Sequence, residues 1–453
     1  MFYFYWDVGH GFLFLCSLFV NYGLGELIGK HQGCKRADRY LALGVFLNLC
    51  WIGAFKYLDF SITILNELMS SNVALTKWVL PLGISFYTFQ QISYLWDIHM
   101  GVAEKRSPSL FFSYVSFFPQ LIAGPIVRYG DIQKQLCSSI SREEVWDKRA
   151  KGLFIFGMGL AKKLWVADHL AIYVDEAYGA VHAGHEPSLF ESWYMLMAYP
   201  LQLYFDFSGY SDMAYGLALM VGIRILHNFN APYKARNIVE FWNRWHISLS
   251  QCFQRYLFNP IAMFLRHHPS AYLKLFAPIL ISMTLIGLWH GASWNCLIFG
   301  FWHGMGLCFI HLWKSKKRFK KKKPPYPLAL CFNLLYIAFS FIWFRTTSLS
   351  VAAECFQGCW GLNGVVLPKG FGDFSSAWIT HSYYVMPSLY RFTTLAPFLP
   401  LIVAITIVAL APTSLEWEKR FIQNKRYAIW TMLLLFASLL KMSDVSVFLY
   451  YQF

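Results

Sequence analysis

The sequence predicts an all-α protein that crosses a membrane many times, and three observations carry that expectation. Charged residues make up 14% of the 453-residue chain and hydrophobic residues 57%, whereas soluble globular proteins carry roughly 25% charged residues. Mean hydropathy is positive, at +0.40. Apolar stretches recur from end to end, and about 20 helical residues cross a bilayer core. No polar stretch is long enough to fold alone, so residues 1–453 read as a single integral membrane domain without internal repeats.

In chain order, the expected spans are 11–29, 40–60, 150–175 (partly amphipathic), 192–222, 275–292, 294–313, 328–345, 396–412 and 427–442. The first lacks a preceding basic region and a small-residue cleavage pattern, so it reads as a retained helix rather than a signal peptide. Segments 78–100 and 110–127 are apolar but broken by Pro and Gly, and 240–265 is studded with Arg, His and Asn. Irregular backbone at membrane depth must be buried in protein or line water, so these segments read as tilted or re-entrant helices around a cavity. Thr346–Arg391, rich in Gly, Trp and Phe, reads as a long membrane-surface loop with short helices.

The net charge of +15 is concentrated in a few clusters: "KHQGCKRADR" (Lys30–Arg39), "KSKKRFKKKK" (Lys314–Lys323) and "EKRFIQNKR" (Glu418–Arg426). Basic loops between spans mark the cytoplasmic side and meet anionic lipid head groups. The partners implied are membrane lipids, not nucleic acid. The ten cysteines form no Cys-x-x-Cys and lie mostly in apolar runs, so they read as reduced core residues. There is no His-Glu-x-x-His helix, no Gly-x-Ser-x-Gly elbow and no phosphate-cradling Gly loop; no metal site is expected.

Against this apolar background a few polar residues stand out. Asp206 and Asp212 are the only charged residues between Glu191 and Arg224, and Asp97 the only one between Lys77 and Glu104. Ionisable groups in membrane segments are costly and usually paired or functional; here they read mainly as structural acids holding helix ends and Arg partners. "EFWNRWHISLSQCFQRYLFNPI" (Glu240–Ile261) places Arg244, His246, Ser248, Ser250 and Arg255 among Trp, Phe and Leu. As a helix it would put His246 and Ser250 on one face, either lining a watery cavity or forming the wall of an anion or thioester tunnel. Arg244 and Arg255 would then snorkel or pair with buried acids.

Three Trp-His pairs (Trp245-His246, Trp289-His290 and Trp302-His303) are unusual in one chain, and two sit in a run free of Asp, Glu, Lys and Arg from Leu275 to Trp313. A lone histidine in such a run is commonly a satisfied core residue. Kept neutral in a dry site, it can also act as a general base toward a hydroxyl attacking an activated carbonyl. If Pro278 opens the helix, His290 lies twelve residues on, about 18 Å at 1.5 Å per residue, deep in the bilayer.

The blocks "PLGISFYTFQQISYLWD" (81–97), "FFPQLIAGPIVR" (117–128), "YFDFSGYSDMAYG" (204–216), "EFWNRWHISLS" (240–250), "GLWHGASWN" (287–295), "WHG" (302–304) and the terminal "FLYYQF" resemble the membrane-bound O-acyltransferases (MBOAT), in particular the bacterial branch with the alginate O-acetylation membrane protein. The resemblance implies a ring of about 10–11 transmembrane helices plus re-entrant helices around a thin core, in the inner (plasma) membrane. It implies a cytoplasmic tunnel for the acyl donor and an outer funnel for the acceptor. His290 would be the catalytic histidine and His246 the second, with Trp289, Asn243, Arg244, Trp245, Ser250, Trp294, His303, Asp206 and Asp212 lining the substrate path. No bound cofactor is implied; acetyl-CoA or a carrier-protein thioester would be the donor. The partners would be a hydroxyl-bearing extracytoplasmic glycan and an extracytoplasmic acyltransferase.

Where alginate-type proteins continue the RWH block with Arg-Asp-Tyr and a Gly pair, this chain has Gln254, Arg255 and Tyr256, and "NPIAMF" without the glycines. Asn243 of "FWNRWH" is similar to the branch that moves D-alanine onto teichoic acid. The acyl group and acceptor therefore stay open between acetyl transfer to a surface glycan and D-alanyl transfer. A non-catalytic channel or transporter is the alternative of another class, although it gives the histidines no task.

Topology follows from the basic clusters: Lys314–Lys323 is expected in the cytoplasm and Phe453 outside. Reporter fusions at residue 320 and at the C-terminus check this, and a cytoplasmic C-terminus would overturn the span assignment.

Overall fold

A computed structural model describes residues 2–103, 107–121, 124–139, 141–315, 324–365, 396–442 and Leu449. The cluster 314–323 beyond Ser315, the stretch 366–391 and all of "FLYYQF" except Leu449 therefore lie outside the described residues. Every regular element among those described is helical, as expected. The chain forms two compact units, residues 1–153 with 214–226 and residues 154–213 with 227–453.

The first unit is built on α1 (Val8–Lys30), α2 (Lys35–Met69, with a π-turn at Gly53–Tyr57) and α3 (Ile84–His99). Asp7 caps α1 by accepting the His10 backbone N–H at 2.7 Å. The three helices are tied by buried amides. Asn21 on α1 donates to Gln91 on α3 at 2.9 Å, Asn48 on α2 donates to Asn21 at 2.6 Å, and Gln91 donates to Ser17 at 3.0 Å. Such interhelical bonds average roughly 0.6 kcal/mol in a membrane, so their main effect is to set register. Gly83 permits the entry into α3. Its φ of +68° suits glycine, and a Cβ there would strike the Leu121 carbonyl.

In the second unit, α4 (Arg142–Ala161, which starts in the first unit) runs through a π-turn at Lys162–Ala167 into α5 (Asp168–His182). The 32-residue α6 (Leu189–Met220) follows, then the short α7 (Ile238–Trp242) and α8 (Ile247–Phe253). Next come α9 (Ala271–His290), α10 (Trp294–Ser315), α11 (Tyr326–Arg345) and α12 (Leu349–Cys359). Last are α13 (Phe398–Leu410) and α14 (Ser414–Arg420), bent by 52°, and α15 (Lys425–Leu439). Helices α9 and α10 form a tight antiparallel hairpin. A Cβ at Gly287 would overlap the Cys296 carbonyl and the Gly300 backbone, and one at Gly300 would overlap the Met283 carbonyl. Small residues at such a crossing let backbones touch.

Five helices (α1, α2, α9, α10 and α11) are long and apolar enough to cross a membrane, or six if α13 with α14 is one span. Three of the nine expected spans fall outside that set for identifiable reasons. The α4–α5 stretch opens on Arg142, Glu143, Glu144, Asp147, Lys148, Arg149 and Lys151. Helix α6 buries Glu191, Gln202, Asp206, Ser208, Ser211 and Asp212 within the protein. Helix α15 has 15 residues, fewer than the roughly 20 a perpendicular crossing needs. Among the described residues, the segments 78–100, 110–127 and 240–265 are broken as expected, into helices and irregular backbone.

Two further expectations are corrected. Pro278 does not open its helix. Ser270 caps α9 by accepting the Leu273 N–H at 3.3 Å, Pro278 is internal, and His290 is the last helical residue. It lies nineteen residues beyond Ala271, about 28 Å along the helix at 1.5 Å per residue. The partners of the α6 acids are lysines rather than arginines. Lys163 meets Asp206 at 2.7 Å and Asp168 at 2.7 Å, and Lys162 meets Asp212 at 2.6 Å and donates to Ser414 at 2.8 Å. Asp206 also accepts the Leu449 N–H at 3.1 Å. Asp97 is buried near the end of α3, where its carbonyl accepts the Val102 N–H.

Removing one partner of a buried ion pair costs about 3–5 kcal/mol, whereas replacing both by apolar residues is often neutral. Asp206→Ala and Asp212→Ala should each lower the amount of protein in the membrane, and Lys162→Met with Asp212→Leu should recover part of the Asp212→Ala loss. Quantitative immunoblotting of membranes checks both. Normal Asp→Ala levels with abolished activity would make the acids functional instead.

Candidate functional site

The RWH segment does not form one helix. After α7 ends at Trp242, the chain turns through Asn243–Trp245, and His246 takes a left-handed backbone with φ 43° before α8 begins. Such a conformation is uncommon for a residue other than glycine and persists only where surroundings enforce it. Here residues 228–230 enforce it. The Asn230 N–H donates to the Arg244 carbonyl and the Ile247 N–H to the Asn228 carbonyl, both at 2.9 Å. The Asn228 Oδ1 accepts the Ser248 N–H at 3.1 Å and the Ser248 hydroxyl at 2.9 Å, and lies 3.2 Å from His246 Nδ1. The His246 ring, 1% exposed, stands edge-on to Phe207 at 4.7 Å between centroids.

This corrects the expected His246–Ser250 helical face. His246 precedes the helix, and its link to Ser250 is a backbone bond, Ser250 N–H to His246 carbonyl at 3.0 Å. The Ser250 Oγ is buried with no hydrogen-bond partner among the described residues. Trp245 is enclosed by Phe241, stacked at 5.5 Å, and by Phe229 at 5.1 Å. Arg244 pairs at 2.5 Å with Glu240, one turn back and partly exposed, rather than with a deeply buried acid. Arg255 lies over the Tyr256 ring at 5.7 Å. Asn243 is exposed, so with Arg244 it stands outside the buried cluster.

His290 ends α9 because Gly291 leaves the helical conformation, with φ −158° and ψ 141°, and Ser293 starts α10 by accepting the Cys296 N–H at 3.2 Å. Asn295 ties this turn to the start of α12, donating to the Thr346 carbonyl at 3.0 Å, the Thr346 hydroxyl at 2.8 Å and the Ser348 carbonyl at 3.0 Å. His290, 6% exposed, is bounded by Trp289 at 4.7 Å, Phe344 at 5.1 Å and Phe299 at 6.3 Å. Trp289 is also 6.3 Å from the His246 ring. One indole thus adjoins both histidines. Trp294, by contrast, is 47% exposed.

His303, fully buried on α10, uses both ring nitrogens. The Trp242 indole N–H, which can only donate, reaches Nδ1 at 3.3 Å. Nε2 then carries the proton and donates to the Ser340 hydroxyl at 2.9 Å, which donates to the Ile337 carbonyl at 2.6 Å. Phe299 packs on His303 at 4.6 Å and so touches both WHG histidines. Asp206 and Asp212 are engaged by the lysines described above, while the residues beside them, Phe207 and Ser211, face the His246 assembly. Sequence reasoning missed Asn228, Phe207, Ser340 and Phe344, because each reaches its histidine from another part of the chain, and Phe299, one helical turn before His303, because it looks like any other apolar residue of its run. No cluster of three or more His, Cys, Asp or Glu suited to a metal occurs among the described residues.

Apolar helices that can cross a bilayer, two of them carrying buried histidines and a third buried histidine held in a turn among aromatic rings, define an integral membrane protein with a histidine-based site. Residues 101–350, which include all three, match the profile of MBOAT, the membrane-bound O-acyltransferase family, and the chain belongs to that family. It is a multi-pass membrane O-acyltransferase. The chain is 35% identical to the probable alginate O-acetylase AlgI of Pseudomonas putida, over an alignment covering 100% of this chain and 92% of that protein. It is 35% identical to the peptidoglycan O-acetyltransferase of Helicobacter pylori, covering 81% and 73%. To the teichoic acid D-alanyltransferase of Streptococcus thermophilus it is 28% identical, covering 52% and 58%.

The bonding of His303 predicts a structural phenotype. His303→Ala strands the Trp242 N–H, and an unsatisfied buried donor costs about 1–3 kcal/mol. The purified variant should unfold at lower temperature and lose less activity than His290→Ala. Thermal unfolding in detergent, run beside an acyl-transfer assay, checks the order.

Proposed function

We propose that this enzyme takes an acyl group, in the first instance acetyl, from a cytoplasmic thioester and delivers it to a hydroxyl outside the inner (plasma) membrane. The observation that carries the reading is the pair of buried histidines, His290 and His246, both adjoining Trp289 in a chain of the O-acyltransferase family. Acetyl-CoA or a carrier-protein thioester is the substrate that supplies the group. The names of the alginate and peptidoglycan relatives support a glycan acceptor, reached directly or through an extracytoplasmic acyltransferase partner.

In the proposed step, neutral His290 accepts the acceptor hydroxyl's proton as the oxygen attacks the thioester carbonyl. The tetrahedral intermediate collapses by breaking the carbon–sulfur bond. The departing thiolate takes the proton from the imidazolium, leaving an ester and a free thiol. His246 assists beside the same indole. The aromatic walls exclude water that would otherwise hydrolyse the donor. A second reading, D-alanyl transfer to a teichoic acid-type acceptor, is favoured by Asn243 in "FWNRWH" and by the D-alanyltransferase relative.

The test uses proteoliposomes loaded with acetyl-labelled acetyl-CoA, with alginate oligomers or peptidoglycan fragments outside. Label should appear in the glycan as an ester while CoA stays inside. Intact acetyl-CoA outside would instead indicate transport. General base catalysis contributes about 10²–10⁴-fold, so His290→Ala should all but abolish transfer while inserting normally. Equal transfer by wild type and variant at matched expression would sink the role of His290.

A further inference from the structure

The orientation of the Asn228 amide is fixed by a donor that cannot reverse. A backbone N–H only donates, so the Asn228 atom 3.1 Å from the Ser248 nitrogen is the oxygen Oδ1. The other end, Nδ2, lies 3.4 Å from the Ser211 hydroxyl. His246 Nδ1 is 3.2 Å from the same Oδ1. An amide oxygen has no proton to give, so the bond forms only if Nδ1 carries it. The neutral ring then bears its lone pair on Nε2.

We propose that Asn228 is the positioning residue of the acyl-transfer site, fixing His246 as the Nδ1–H tautomer so that its Nε2 lone pair serves the proton movements of the reaction. The inference rests on the acyl-transfer reading above. It is independent of which histidine removes the acceptor proton. Asn228 controls more than a ring nitrogen: its carbonyl holds the Ile247 N–H, so one residue fixes both the left-handed backbone of His246 and its tautomer. The choice of amide over carboxylate is explained by burial, since Asn228 is 2% exposed. An aspartate there would bring an unpaired charge into a dry site or draw a second proton onto the imidazole. A neutral amide orients the ring and leaves it neutral.

The experiment combines a spectroscopic signature with turnover on the full-length protein. With ¹⁵N-labelled histidine, the ring resonances of His246 are assigned by their absence in His246→Gln. Wild type should show a protonated Nδ1 and a bare Nε2. A bare Nδ1 with a protonated Nε2 overturns the proposal, and this readout requires no turnover and no Asn228 variant that folds. Asn228→Leu removes the acceptor at similar volume. It should lose the Nδ1–H signature and about 10²-fold or more in kcat, the size of a proton-transfer contribution, with little change in KM for acetyl-CoA. Ser248→Ala removes a different bond to the same oxygen and should keep the signature and most of kcat. Wild-type kcat in Asn228→Leu, or equal losses in Asn228→Leu and Ser248→Ala, would defeat the proposal. Failure of wild type to transfer acetyl from acetyl-CoA to alginate oligomers would count against the donor and acceptor reading alone, because the spectrum still decides the tautomer.

Discussion

Two neighbouring lysines hold the second unit in register. Lys162 and Lys163 lie in the π-turn after α4 and take separate acids on α6, Asp212 and Asp206. The backbones come close one turn earlier, where Gly159 and Gly209 leave no room for a Cβ on either side. An unpaired charge at this depth would be strongly unfavourable, so the two helices cannot slide past one another without stranding one. The acids bracket the stretch that matters to the site. Phe207 and Ser211, each beside one of them and four residues apart, share a helical face. Phe207 supports the His246 ring, and Ser211 meets the Asn228 amide. The ion pairs thus fix the scaffold on which the histidine turn is held.

The fold class was legible because the bilayer imposes so strong a compositional demand. Helices α1, α9, α10 and α11 coincide closely with the expected spans, since a run such as Leu275–Trp313 has few other stable outcomes. Where a helix falls short of a crossing by hydropathy, polar residues are the cause. Residues 192–222 fall almost wholly in one long helix, but its acids, glutamine and serines are buried within the protein, which hydropathy cannot see. The lysine partners were equally hidden, being some fifty residues away in sequence. Local preference makes Pro278 a helix start, whereas the Ser270 cap extends the helix by two turns.

The candidate site was legible in its residue types and not in its geometry. His246, His290 and His303 are all buried, as their apolar setting suggested. The left-handed turn at His246 was not foreseeable from "NRWHIS", because the string has no glycine, and the weak tolerance of Asn and His for a positive φ does not say where one falls. The conformation is imposed from outside, by three backbone or side-chain acceptor bonds to Asn228 and Arg244. Asn243 and Trp294, beside histidines in sequence, are exposed where the histidines are buried.

Hydrogen-bond commitments distinguish the three histidines where burial does not. His303 accepts at Nδ1 and donates at Nε2, so protonating it would displace the Trp242 N–H and leave a buried donor without a partner. That makes it a poor base and a good fastener between α7, α10 and α11. His246 meets the Asn228 amide oxygen through Nδ1, a neutral partner that orients the ring without placing a charge beside it. His290 stands at a helix end among Trp289, Phe344 and Phe299, and Asn295 clamps the turn that follows it. The junction of α7, α10 and α11 therefore depends on His303 staying as it is.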